Sequence, residues 1–205
     1  MSTATIHVIG GGGIGSFLLR DLVRLQKTNQ LIRVDGTGYN TIIYDEDDVE
    51  QKNILYQDFG DEDILEPKAK VLGERHSIPY MEMFVENVAD IISTEHDIVV
   101  CCVDNAKFRS HLYEWQTGVS NFWVDLRSHG RIVVRICRDK KNNLDYLMST
   151  LPEEEEDGDG SCQRAIDLEK GIIQMGNRVI ATIGCQTILN YLRGVAQDSR
   201  FTRQF

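Results

Sequence analysis

Positive charge is what this sequence most lacks: 22 Lys and Arg stand against 32 Asp and Glu, a formal net charge of −10 at pH 7. Binding to a nucleic-acid backbone or an anionic membrane surface needs clustered Lys and Arg that release counterions, so neither is an expected partner. Cysteine pairing is also missing. Five cysteines are scattered at 101, 102, 137, 162 and 185 with no CxxC, which signals neither a disulfide framework nor a zinc clip and fits a reducing cytoplasm. Nowhere do about 18 apolar residues run together, and the first residues carry no basic stretch ahead of an apolar one, so neither a membrane span nor a leader is predicted. What the chain does have is 41% hydrophobic residues over 205 positions. That suffices for one domain, 1–205, with a substantial core.

Thr5–Ile9 is a β-branched run that breaks into four glycines, and apolar residues then recur at helical spacing through Ile14, Phe17, Leu18, Leu22 and Leu25. After a polar connector over 28–40, Thr41–Tyr44 reads as a second strand ending at Asp45. Asp63–His76 reads as a helix with Asp63 as cap and Pro67 in its first turn. Pro79–Phe84 reads as a third strand and Val85–Ser93 as a helix. The unbroken apolar run over Asp97–Val103 is that of a strand buried on both faces of a parallel sheet. A helix over Ala106–Trp115 and strands over Phe122–Asp125 and Arg131–Cys137 follow. Residues 131–150 alternate as antiparallel strands do, Pro152–Gly160 is an acidic, solvated crossover loop, and Ala165–Leu192 returns to helical periodicity. The fold class is α/β: a doubly wound, Rossmann-like, mainly parallel sheet with antiparallel C-terminal strands and helices on both faces.

Three motifs carry chemistry. Gly10, Gly12 and Gly15 form G-x-G-x-x-G between a strand and a helix, extended by Gly13 and Ser16, where backbone N–H groups and a helix N-terminus can approach a phosphate. Asp45 ends the second strand, placed for ribose hydroxyls, and at this point a dehydrogenase remains open. It opens an acidic loop, D-E-D-D-V-E-Q-K-N, that contains Asp47, Glu50 and Asn53 and is followed by Gln57 and Lys68. Such a cluster beside a triphosphate fits a divalent cation shared between carboxylates and phosphates. The third motif, Val103-Asp104-Asn105-x-x-x-Arg109, closes the buried strand. Asp104 there can face a cation from the other side, while Asp104 and Asn105 equally suit a helix cap.

In this order the motifs resemble the ThiF/MoeB/HesA family, relatives of the ubiquitin-activating enzymes, over about residues 5–128 and more loosely beyond. The resemblance implies ATP and Mg²⁺ as cofactors. It implies adenylation of the C-terminal carboxylate of a ubiquitin-like or sulfur-carrier protein ending in Gly-Gly, with release of pyrophosphate. On it, Asp45 holds the ribose; Asn53, Gln57 and Lys68 serve the phosphate region; Asp104 holds the metal; and Asn105, Asp47 and the glycines complete the nucleotide site. Cys162, in G-D-G-S-C, falls where the family often carries a cysteine used in thioester or persulfide chemistry, although the surrounding acids should raise a thiol's pKa. A homodimer and a conjugating-enzyme or sulfur-transfer partner are further implications. This sequence departs from the family at Tyr56, where N-x-x-R-Q is usual, in having only four residues before the first strand, so that no arginine-bearing N-terminal arm is expected, and in lacking the zinc cysteines, so that no zinc is expected. Two other functions stay open: a ThiF-like binding module impaired in catalysis, motivated by Tyr56, and an NAD-dependent oxidoreductase, motivated by G-x-G-x-x-G and Asp45.

Overall fold

The computed structural model describes residues 2–138, 143–151 and 170–205. β-Branched and aromatic runs condense into strands β1 (Thr3–Ile9), β2 (Gly38–Tyr44), β3 (Tyr80–Met81), β4 (Ile98–Cys101), β5 (Phe122–His129), β6 (Ile132–Cys137) and β7 (Arg200–Gln204). They form one seven-stranded sheet of order β3-β2-β1-β4-β5-β6-β7. The strands from β3 to β5 run parallel, and β6 and β7 are antiparallel. The described helices are α1 (Gly15–Lys27), α2 (Lys68–His76), α3 (Ala106–Trp115), α4 (Leu144–Met148) and α5 (Gly176–Leu192).

The central strands lack polar alternation because both faces are covered. Ile6, Val8, Ile98, Val100 and Val124 pack towards Phe17, Leu22, Leu72, Ile180 and Ile188 of α1, α2 and α5. The intervening Ile9, Val99, Cys101 and Trp123 pack towards Phe108, Leu112, Tyr113 and Leu147 of α3 and α4. Connections leave β1 for β2 and β3 on one side, and the chain then returns to build β4 and β5 on the other. Open parallel sheets bind ligands where the strand order reverses in this way. Register completes the arrangement: Ile9 lies opposite both Tyr44 and Cys101. The next residues, Gly10, Asp45 and Cys102 to Asp104, therefore emerge together at the carboxyl edge, tied by Gly10 N–H to the Tyr44 carbonyl at 2.9 Å and Cys102 N–H to the Ile9 carbonyl at 2.8 Å.

Several expected elements are shorter or different. α2 begins at Lys68, not Asp63, because Glu66 precedes proline and is biased away from helical backbone; Pro67 is the N-cap residue, with φ −59 and ψ 128. Asp63 does not cap α2: its carboxylate accepts from Gly60 N–H at 2.7 Å and pairs with Arg75. The helix expected over Val85–Ser93 reduces to a single 3₁₀ turn, Val88–Asp90. There Asn87 Oδ1 captures Ala89 N–H, while Asp97 takes the Ser93 and Thr94 N–H groups, so local side chains replace the helical ladder. The strand expected over Pro79–Phe84 pairs only through Tyr80 and Met81. Of the residues expected as strand beyond Cys137, those described from 143 to 150 are not strand: Asn143 accepts from Tyr146 N–H at 2.8 Å and starts α4. The last antiparallel strand comes instead from Arg200–Gln204, whose mostly exposed residues give no apolar pattern to read. The acidic crossover, 152–160, and residues 165–169 lie outside the described residues.

Candidate functional site: a glycine-walled cleft at the switch point

Gly10 turns the chain at φ 94, a backbone conformation that disfavours any side chain, and a Cβ there would meet Val103 Cγ1 at 2.8 Å. Gly15 fits so closely that its Cβ would stand 1.8 Å from the Gly10 carbonyl oxygen. The turn delivers α1 with no side-chain cap and no acid in its first turn. Its positive dipole end stays available to an anion, although Ser16 N–H is already taken by the Gly12 carbonyl at 3.1 Å. Ser16 takes no part in this: it is fully buried and its hydroxyl accepts from Asp58 N–H at 3.1 Å. It latches the helix to the segment that follows the acidic loop.

Asp45 closes β2 with both carboxylate oxygens engaged, Oδ2 by Gly11 N–H and Oδ1 by Asp47 N–H at 2.9 Å. Each oxygen keeps a second lone pair for a sugar hydroxyl. Burial pushes its carboxyl above the ordinary aspartate range, although Lys68 and the two N–H groups pull the other way. Asn53 is buried, accepts from Glu50 N–H at 2.9 Å and fixes the segment through a 3₁₀ turn, Asn53–Leu55. Gln57 stands over Gly12 with its Oε1 buried and unpartnered among the described residues. Lys68 is only 6% exposed, and its Nζ donates to Asp47 Oδ2 at 2.8 Å. A lysine in the first turn of α2 opposes the helix dipole, a cost of roughly 0.3–1 kcal/mol that a capping acid there would avoid.

From β4, Asp104 projects into the same cleft. Burial of its carboxyl and the facing Asp47 charge push its pKa up, while its own backbone N–H, Arg109 and Lys68 draw it down. Asn105 is not among the cleft walls; its Oδ1 accepts from Phe108 N–H at 3.0 Å and caps α3. The cleft encloses about 230 Å³ and is bounded by Gly10, Gly12, Gly13, Asp45, Asp47, Asn53, Gln57, Lys68 and Asp104, together with Glu50, Lys52, Tyr56, Cys102 and Val103. Four carboxylates face two amines across it. Among the described residues no group of three or more His, Cys, Asp or Glu could hold a metal. The oxygen donors of Asp47 and Asp104 nonetheless suit a hard cation that takes one or two carboxylates and fills its remaining positions with phosphate and water.

Behind the cleft lies a group that sequence reasoning did not find. Asp125, fully buried on β5, accepts from Arg109 Nε at 3.1 Å, Arg127 Nε at 2.8 Å and the Tyr113 hydroxyl at 2.6 Å. Burial opposes its ionisation, yet the two guanidiniums hold its carboxyl below the usual range. Arg109 also donates to the Asp104 and Val103 carbonyls, which fixes the loop that carries Asp104. The signal in the sequence was Arg109 itself, four residues beyond Asn105; its partner sixteen residues on gave none. Cys101, Cys102, Cys137 and Cys185 are buried and in no disulfide among the described residues. Burial pushes Cys101 and Cys185 up to about 12, far from thiolate chemistry. Cys162 lies outside the described residues.

The model of the ThiF family matches residues 1–205. No curated protein matches the chain. Among solved structures, Escherichia coli MccB with MccA-N7isoASN superposes with a TM-score of 0.66 at 14% identity, over 98% of this chain and 62% of that one. E. coli MccB with ATP gives 0.64 at 16%, over 98% and 60%, and selenomethionyl PaaA gives 0.63 at 13%, over 98% and 60%. At such identities the likeness shows the shared fold, and the chain spans about 60% of the length of these neighbours.

Proposed function

The chain belongs to the ThiF family of adenylyltransferases, and on that premise we propose that it adenylates the C-terminal carboxylate of a ubiquitin-like or sulfur-carrier protein ending in Gly-Gly, using ATP and Mg²⁺. The observation that carries this reading is convergence: an uncapped helix end, a glycine turn, Asp45, Lys68 and Asp104 surround one cleft where the strand order reverses. That E. coli MccB has been crystallised with ATP, and MccB with N-formylated MccA, supports a nucleotide and a peptide-like partner.

In the proposed reaction a carboxylate oxygen of the carrier attacks the α-phosphorus. The new O–P bond forms as the bond to the β-phosphate bridging oxygen breaks, and pyrophosphate leaves with that electron pair. The attacking carboxylate is already ionised, so no general base is required; alignment and charge neutralisation set the rate. The N–H groups of the glycine turn and the start of α1 orient the phosphates, Asp45 orients the ribose, and Lys68, Asn53 and Gln57 line the phosphate path. A divalent cation held by Asp104, with Asp47 facing it, would offset phosphate charge that the acidic cleft otherwise repels. On this reading the protein acts in the cytoplasm and as a homodimer.

ATP–pyrophosphate exchange tests the proposal: carrier-dependent exchange is expected, and its absence with every Gly-Gly protein tried would refute it. Tyr56 favours a second reading, a binding module, because a neutral phenol borders the cleft where the family carries an arginine. Calorimetry that finds ATP bound, with no adenylate formed in the presence of carrier, would select that reading.

A further inference from the structure

We propose that Asn177, in the first turn of α5, binds the tail of the second substrate: its side-chain amide pairs with the last peptide group of the Gly-Gly carrier and so aims the terminal carboxylate at the α-phosphate. The assignment rests on the adenylation reading above. Asn177 is 1% exposed, and neither its Nδ2 nor its Oδ1 has a hydrogen-bond partner among the described residues. Two donors and one acceptor are therefore left unused in the interior, where polar groups are ordinarily paired. The amide is pressed against Gly13, at which a Cβ would collide with Nδ2, and Gly13 is itself a wall of the cleft.

Position separates this group from the nucleotide. Along the glycine turn, Gly11 faces Asp45, Gly12 faces Gln57 and Gly13 faces Asn177, so the ribose and phosphate residues lie at one end and Asn177 at the other. Next to it, Gly176 fits against Ser128 and Gly130 where β5 turns into β6, and the Ser128 hydroxyl is a further buried group with no partner among the described residues. Charge at this end suits an anionic tail. α5 starts without a side-chain cap and with no acid in its first turn, so its positive dipole end is open to a carboxylate. Arg178 is exposed, holds its guanidinium 4.5 Å from the Phe17 ring centroid and is in no ion pair among the described residues. A peptide group complements the asparagine amide: its N–H donates to Oδ1 while its carbonyl accepts from Nδ2. The end torsion of asparagine is broad, so the amide turns towards the tail without leaving a favoured rotamer. A Gly-Gly tail brings no Cβ into that narrow gap.

The test sets stability against substrate constants, with a synthetic peptide ending in Gly-Gly and a free carboxylate as the probe. Asn177→Leu replaces an unpaired amide by an apolar side chain, so Tm should rise by about 2–4 °C. The peptide concentration giving half-maximal ATP–pyrophosphate exchange should rise about tenfold, with ATP affinity by calorimetry unchanged within about twofold. Asn177→Asp, which sets a charge against the incoming carboxylate, should weaken the peptide further. An unchanged half-maximal concentration in Asn177→Leu, beside a wild type that exchanges normally, overturns the assignment and leaves the adenylation reading intact. A lowered Tm with ATP and peptide weakened alike overturns it too, since an amide that merely holds the fold behaves that way. Should Asn177→Leu not fold, Asn177→Asp decides: weaker peptide with unchanged ATP upholds the assignment, and any other outcome overturns it. If neither the peptide nor any Gly-Gly protein tried supports exchange by the wild type, the adenylation reading fails and the assignment fails with it.

Discussion

Two clusters of charge sit within one strand layer of each other and behave in opposite ways. In the buried one, Asp125 is surrounded by Arg109, Arg127 and Tyr113, and every carboxylate oxygen is engaged. In the cleft, Asp47 and Glu50 are exposed, Gln57 Oε1 has no partner among the described residues, and carboxylates outnumber amines. The same residue types thus divide by satisfaction: closed networks hold the fold, and open ones await a ligand. Arg109 joins the two, since it faces Asp125 inward and donates to the Asp104 carbonyl outward.

The sharpest way to break the contrast is Asp125→Ala. It strands two guanidiniums in the interior, and a loss of about 3–5 kcal/mol in urea unfolding is expected. Next in size, Asp104→Ala should leave unfolding within about 0.5 kcal/mol of wild type and lower carrier-dependent exchange by roughly 10²–10³-fold. If Asp104→Ala instead unfolded the protein, the division between the clusters would be wrong.

Acidification offers a reversible version of the same loss. Asp45 and Asp104 carry carboxyls pushed up by burial, so their charged forms disfavour the fold at neutral pH and relax it as pH falls. Asp125 is held below its unfolded value, so its contribution is present above the ordinary aspartate range, near about 3.9, and is lost only as pH falls through the lowered folded value. ATP binding should therefore fade at a higher pH than folding does. Circular dichroism and calorimetry over one pH series check the order, and simultaneous loss of both would count against it. The smallest effect is expected at Asn105→Ala: loss of the α3 cap should cost about 1 kcal/mol with ATP affinity unchanged within about twofold, which separates a cap from a nucleotide ligand.

Much of the cleft was legible because its residues close consecutive parallel strands. Gly10 after β1, Asp45 after β2 and Asp104 after β4 are far apart in sequence, yet the apolar runs before them imply strands, and strands in register align their ends. Helix α3 was equally readable, although whether Asp104 or Asn105 capped it was not, since both side chains can accept from the first turn. What stayed hidden depended on partners remote in sequence. Asp125 looks like an ordinary strand end until Arg109 and Arg127 surround it. Strand β7 is polar and forms because β6 offers an open edge, and Val85–Ser93 loses its helix to Asn87 and Asp97. Ser16 fits the glycine motif, but only the packing of Asp58 against α1 shows its hydroxyl turned inward.

The central claim is that a carrier's carboxylate oxygen attacks the α-phosphorus of ATP. Incubating the protein with ATP, Mg²⁺, hydroxylamine and a Gly-Gly carrier labelled with ¹⁸O in its C-terminal carboxylate tests this directly. Mass spectrometry of the released AMP should find one ¹⁸O on phosphorus, with a hydroxamate on the carrier. Unlabelled AMP in the presence of carrier, or no AMP at all, would contradict it.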